Sequence, residues 1–189
     1  MEIPPEISAS IARFDQEFPP LAQAARRTLA DLRNRQTVSE QRIGSALSIV
    51  ESGAGGIADT GVMEELEGLA RFQEEWLEGY PGIMDRMLER LYDELVILYG
   101  HKAIYAKALW DALDLDDLVG EMSVRITFME GLLDQLPRLA PADAGDIELH
   151  DEAIAYTDDV LYVVRHGAAY LMRLKVALWS GSPLPQRTS

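Results

Sequence analysis

Apolar residues recur every three or four positions along nearly the whole chain, and no stretch alternates with period two for long enough to make a strand. Ile7, Ile11 and Phe14 stand at i, i+4 and i+7, which predicts a short helix over 3–18 that Pro19-Pro20 then interrupts. Leu21, Ala25, Leu29, Leu32, Ile43, Leu47 and Val50 keep one helical phase over 21–50. Thr37-Val38-Ser39-Glu40 has the form of a capping box and would permit a break, but the phase carries across it, so one helix is expected. Ser52 to Gly61, with four glycines, reads as a loop. Thr60 suits a helix N-cap, and Glu64 and Glu65 follow in the first turn, where the helix dipole favours acid.

The helix opened at Val62 runs through Leu66, Leu69, Phe72, Trp76 and Leu77, and Gly79-Tyr80-Pro81-Gly82 should end it. From Pro81 a second pattern begins, in which Met84, Leu91, Leu98, Tyr105 and Ala112 recur every seven residues. A helix over 81–113 passing through Gly100 is therefore expected, with a break at Gly100 as the alternative. Further helices are predicted between Asp117 and Pro137 and from Ile147 to Leu178, separated by a loop over 137–145. The sum is an all-α, elongated antiparallel bundle of four to five major helices, several about thirty residues long and so roughly 45 Å each. The expected organisation is an N-terminal arm with a short helix over 1–20, a single bundle domain over 21–180 and a flexible tail over 181–189.

Composition narrows the function classes. The chain has no cysteine, which removes disulfides, thiolate catalysis and thiolate metal sites together. The longest apolar runs, Leu95 to Tyr99 and Val160 to Val164, are far short of a membrane span, and residues 1–20 lack the features of a secretory leader. A soluble, cytoplasmic protein without membrane insertion is expected. A net charge of −15 argues against nucleic acid and anionic membranes as partners and accommodates a basic one.

That charge is segregated. Residues 21–50 carry five arginines against two acids, whereas 51–99 carry twelve acids against three arginines. Arg26 and Arg33 flank one side of the first long apolar stripe and Arg35 and Arg42 the other, an arrangement suited to coiled-coil-like packing against acidic helices. Glycines at 44, 68, 100, 120, 131 and 167 interrupt the helical stretches and suggest close helix approach or bending.

Candidate chemistry is sparse. None of His101, His150 and His166 has an acid three residues before it, so the Glu-x-x-His pattern of di-metal bundles is absent. Asp146 and His150 share a helix face, which dipole complementarity at a helix start explains. His166 beside Gly167 has the small neighbour that a phosphotransfer partner would need, but not the surrounding lysine and glycine. The glycines of 52–61 have no lysine and no preceding strand, so they do not form a phosphate loop. No catalytic residue, metal ligand or cofactor is singled out, and an enzyme is not the expectation. What remains is the acidic stretch 62–94 with its aromatics, because Tyr and Trp favour places where an apolar body meets a wet edge. Trp76, Glu75, Glu78, Tyr80, Asp85 and Glu89 are the expected partner-binding residues. The expected function is a non-enzymatic protein–protein interaction module: a subunit, adaptor, chaperone or neutralising partner for a basic protein, compatible with a homodimer. The alternative is a small-molecule-binding or enzymatic bundle with a pocket between long helices.

Overall fold

In the computed structural model, which describes residues 5–186 apart from the side chain of Glu6, the apolar stripes form five helices. They are α1 (Pro5–Glu51), α2 (Val62–His101), α3 (Ala103–Ala112), α4 (Leu115–Gln135) and α5 (Ala144–Ser180). Short 3-10 turns at Ile57–Asp59 and Leu136–Arg138 lie in the two loops at the same pole. No strand occurs among the described residues, and the fold is the all-α bundle that the periodicity implies. At 1.5 Å per residue α1 is about 70 Å long and α2 about 60 Å, longer than expected.

Side-chain pairings give the order and direction of the helices. Ser10 meets Glu94 and Ser39 meets Glu65, so α1 and α2 run antiparallel. Gln73 pairs with Thr157 and Tyr99 with Ser182 just past α5, so α2 and α5 run parallel. Glu130 pairs with Arg165 and Asp116 with Lys175, which sets α4 antiparallel to α5. Arg26 pairs with Asp117 and Glu51 with Arg138, which closes the ring with α4 parallel to α1. The long helices thus alternate in direction along the chain, while their order around the ring is α1, α2, α5, α4. The link from α2 to α4 must cross the bundle diagonally, and α3 makes that crossing. Its Trp110 is fully buried, donates from Nε1 to Asp116 at 3.0 Å and meets Trp179 edge-on at 6.3 Å.

The chain departs from expectation at its prolines. Pro19, Pro20 and Pro81 all lie inside helices, so α1 crosses residue 20 without a break and α2 crosses Gly79 to Gly82. A proline removes one N–H and releases the carbonyl four residues earlier, here those of Asp15, Gln16 and Leu77. Pro19 and Pro20 are exposed, so water can serve the first two carbonyls. On the opposite side Phe14 and Phe18 stack at 4.6 Å and are 2% and 1% exposed, and burying two such rings outweighs the interruption. Thr37 does not break α1; its hydroxyl donates to the Arg33 carbonyl.

The heptad through Gly100 ends early. Met84, Leu91 and Leu98 are buried, but Lys102 adopts an extended conformation and Tyr105 and Ala112 are exposed. After the break α3 buries Ala106 and Trp110 instead, a face that the seven-residue repeat had concealed. The alternative break is therefore the observed one, displaced two residues beyond Gly100.

Two apolar clusters fill the bundle. One contains Phe14, Phe18, Tyr80, Leu91, Trp110, Met122 and Leu171; the other contains Ile43, Leu66, Leu69, Leu132, Leu136 and Ala153. Between them lies a polar layer: Gln36 and Ser39 from α1, Gln73 from α2 and Thr157 from α5, all fully buried. Gln73 Nε2 donates to Thr157 Oγ1 at 3.0 Å. At the far end Gly181, at φ 74°, terminates α5, and the chain folds back so that Leu184 packs on the core. The Tyr99 hydroxyl donates to the Ser182 carbonyl at 3.1 Å. The first four residues of the expected arm and the last three of the expected tail lie outside the described residues.

If the mid-helix prolines are only tolerated, Pro19→Ala and Pro20→Ala should each raise unfolding stability by about 1–3 kcal/mol in urea denaturation. A loss of stability would show instead that the packing of Phe14 and Phe18 needs the interruption.

Candidate functional site

Below Pro81 the parallel helices α2 and α5 enclose an open groove of about 740 Å³. Its floor is apolar, made by Met84 and Leu88 of α2 and Val163 and Gly167 of α5. Gly167 is there because α5 presses close on its neighbours. A Cβ at that position would come within 2.8 Å of Met122 Cε and 3.6 Å of Met84 Cγ.

The two walls carry opposite charge. Asp85 and Glu89, one turn apart and exposed, form the α2 wall. His166 and Arg173 form the α5 wall. Tyr162, 63% exposed, sits at the lip with its ring 4.9 Å from that of His166. Tyr170 is buried and holds the Arg173 guanidinium over its ring at 5.7 Å, which positions that cation beside the groove. The Tyr170 hydroxyl also lies 3.4 Å from the Pro185 carbonyl, so the segment after α5 borders the lower end of the groove. Glu75 and Glu78 are exposed, and their spacing continues the Asp85–Glu89 ridge up α2. The arrangement suits an apolar body with a cation directed at α2.

Of the expected contact residues, Asp85 and Glu89 line the groove and Glu75 and Glu78 extend its acidic wall. Trp76 and Tyr80 do not take part, because they are 5% and 0% exposed. Their rings stack at 4.2 Å, and Trp76 Nε1 donates to the Thr28 carbonyl at 3.1 Å, so both belong to the core between α1 and α2. The Tyr80 hydroxyl is buried without a hydrogen bond, and burial holds its pKa far above the usual phenol value. Their spacing from the acids is compatible with either face of α2, and only the α1 contact decides.

The histidines divide by position. His150 is buried and its Nε2 donates to the Leu136 carbonyl at 2.6 Å, which ties the start of α5 to the end of α4. His101 ends α2 beside a smaller apolar cleft formed with Ile7, Val96 and Ile97. Only His166 reaches the main groove. Among the described residues no cluster of His, Asp and Glu is arranged to hold a metal ion. Tyr162 and Arg173 are the groove residues that sequence reading missed; with His166 and Tyr170 they share one face of α5, a signal that charge counting alone does not reveal.

Comparison of the chain with known protein families, curated proteins and solved structures gives no match. The site stands on its geometry alone.

Core placement of the aromatic pair has a direct consequence. Trp76→Ala should cost about 3–5 kcal/mol of stability, whereas Tyr80→Phe, which removes an unsatisfied buried hydroxyl, should cost nothing or add up to about 1 kcal/mol. Urea denaturation measures both. An unchanged midpoint for Trp76→Ala would return that residue to the surface.

Proposed function

We propose that the protein is a non-enzymatic interaction module that takes a basic segment of another protein into the α2–α5 groove. The observation that carries this reading is the acidic wall of Asp85 and Glu89 above an apolar floor, continued along α2 by Glu75 and Glu78. A helix or extended segment with an apolar anchor and flanking lysine or arginine complements both features. The net charge of −15 favours encounter with such a segment and disfavours nucleic acid. No helix among the described residues is long and apolar enough to cross a membrane, which fits the proposed soluble, cytoplasmic setting. Met172, Val176 and Trp179 are exposed along α5 and are compatible with self-association through a second face.

A second reading, a small-molecule pocket, draws support from the groove volume, which falls within the roughly 300–1,000 Å³ usual for ligand sites. The breadth of the opening and the exposure of its charged walls favour the protein segment.

The test is charge reversal. Asp85→Lys with Glu89→Lys changes two exposed positions and should leave the fold intact, as should the control Asp151→Lys with Glu152→Lys at the other end of α5. Untagged protein recovered from its own host should carry a basic partner, bound less tightly as salt rises, which the groove variant loses at least about tenfold and the control retains. Retention by the groove variant would contradict the proposal. A bound small molecule in native mass spectrometry would support the second reading.

A further inference from the structure

The outer faces of α4 and α5 carry two stripes of the same spacing and of opposite size. On α5 the stripe is Arg165, Ala169, Met172, Val176 and Trp179; on α4 it is Asp116, Gly120, Ser123, Thr127 and Glu130. Both step i, i+4, i+7, i+11, i+14, the period of a seam at which helices meet other helices. Every residue of both stripes is exposed. Glu130 pairs with Arg165 at 2.6 Å, and Asp116 pairs with Lys175, next to Val176, at 2.7 Å. The stripes therefore lie side by side, with both acids tied.

The α5 stripe is a ridge that nothing in the chain covers. Met172, Val176 and Trp179 are 43%, 61% and 44% exposed. Trp179 is nonetheless fixed in place. Its ring stands edge-on to the buried Trp110, and the Lys107 and Lys175 ammoniums lie 5.6 and 5.8 Å from its centre. An indole held in this way loses little freedom when a partner covers it. The α4 stripe is a shallow trough. Ser123 and Thr127 turn their hydroxyls back to the Val119 and Ser123 carbonyls at 2.8 and 3.2 Å, so covering them leaves no donor unmet. A Cβ on Gly120 would meet nothing within 4 Å. Glycine is unfavourable inside a helix, and nothing within the chain requires it there.

Charge points to the occupant. No acid occurs from Val160 to Ser180, in a chain of net charge −15. Two copies of so acidic a chain repel on most approaches, whereas on this face the acids are already neutralised. We infer that the α4–α5 face is the contact of a homodimer whose two-fold axis runs along the helices. Each α5 ridge then lies in the α4 trough of the other copy, an isologous fit of large residues onto small ones. Because Lys175 is level with Asp116 and the helices are antiparallel, Met172 and Val176 seat over Gly120 of the partner subunit. The α2–α5 groove opens on another side of α5 and stays free, so the two proposals stand or fall separately.

Sedimentation velocity from about 1 to 100 μM tests the contact. Wild type should be dimeric at the upper end of that range. Val176→Glu and Gly120→Gln should each raise the dimer dissociation constant at least about tenfold, with helicity by circular dichroism unchanged. Gly120→Gln is the sharper variant, because the single copy has room for the side chain and only the trough is lost. The control Val96→Glu, on α2 and 43% exposed in wild type, should dimerise as wild type does. A monomeric wild type at about 100 μM, an undiminished dimer in either face variant, or a dimer lost in the control would each overturn the assignment.

Discussion

The carboxylate of Glu65 is 2% exposed, and the register of the bundle depends on how it is held. Ser39 Oγ donates to it at 2.7 Å, Arg35 Nη2 lies 2.8 Å from Oε1, and Arg42 Nη1 donates to Oε2 at 2.9 Å. Arg35 also reaches the Glu65 backbone carbonyl at 3.3 Å. An ionised carboxylate out of water costs several kcal/mol unless its lone pairs are met, so α1 has one favourable position against α2 in which all three donors arrive. Gly68 makes the position attainable: a Cβ there would stand 2.8 Å from Arg35 Nη2. Sliding α1 by one turn would break this set of three donors.

The rest of the architecture is aligned from that point. With α1 and α2 in register, Trp76 reaches the Thr28 carbonyl and the Phe14–Phe18 stack reaches the lower core. Gln73 and Thr157 in the polar layer then set α5 against α2. That alignment puts His166 and Arg173 opposite Asp85 and Glu89 and so creates the groove with walls of opposite sign. Apolar surface supplies most of the stability, but it is non-directional; the buried polar groups choose among the packings that the apolar stripes would allow equally well.

Much of this was legible in the sequence. Helical spacing gave the class, the two loops after α1 and α4 and the helices α4 and α5, but not the extents of α1, α2 and α3. Charge segregation between the arginines of α1 and the acids of α2 anticipated their mutual pairing, which Arg35, Arg42 and Glu65 realise. Local signals misled where tertiary burial outweighed them. Pro19, Pro20 and Pro81 read as breaks because a proline costs a hydrogen bond locally, and only the core behind Phe14, Phe18 and Met84 tips the balance the other way. The repeat through Tyr105 and Ala112 was a coincidence of phase that Lys102 ends. In the candidate site, Asp85 and Glu89 could be named from charge, but Trp76 and Tyr80 were misplaced, since aromatic type does not say which side of a helix meets a neighbour.

The role of Glu65 as a register-setting acceptor is tested most directly by a double-mutant cycle. Unfolding free energies of wild type, Glu65→Gln, Arg35→Gln and the double variant, from urea denaturation, give the coupling between the two groups. A coupling of about 1–3 kcal/mol is expected, with the double variant less destabilised than the sum of the single ones. Additivity within about 0.5 kcal/mol would contradict it and leave the bundle aligned by its apolar stripes alone.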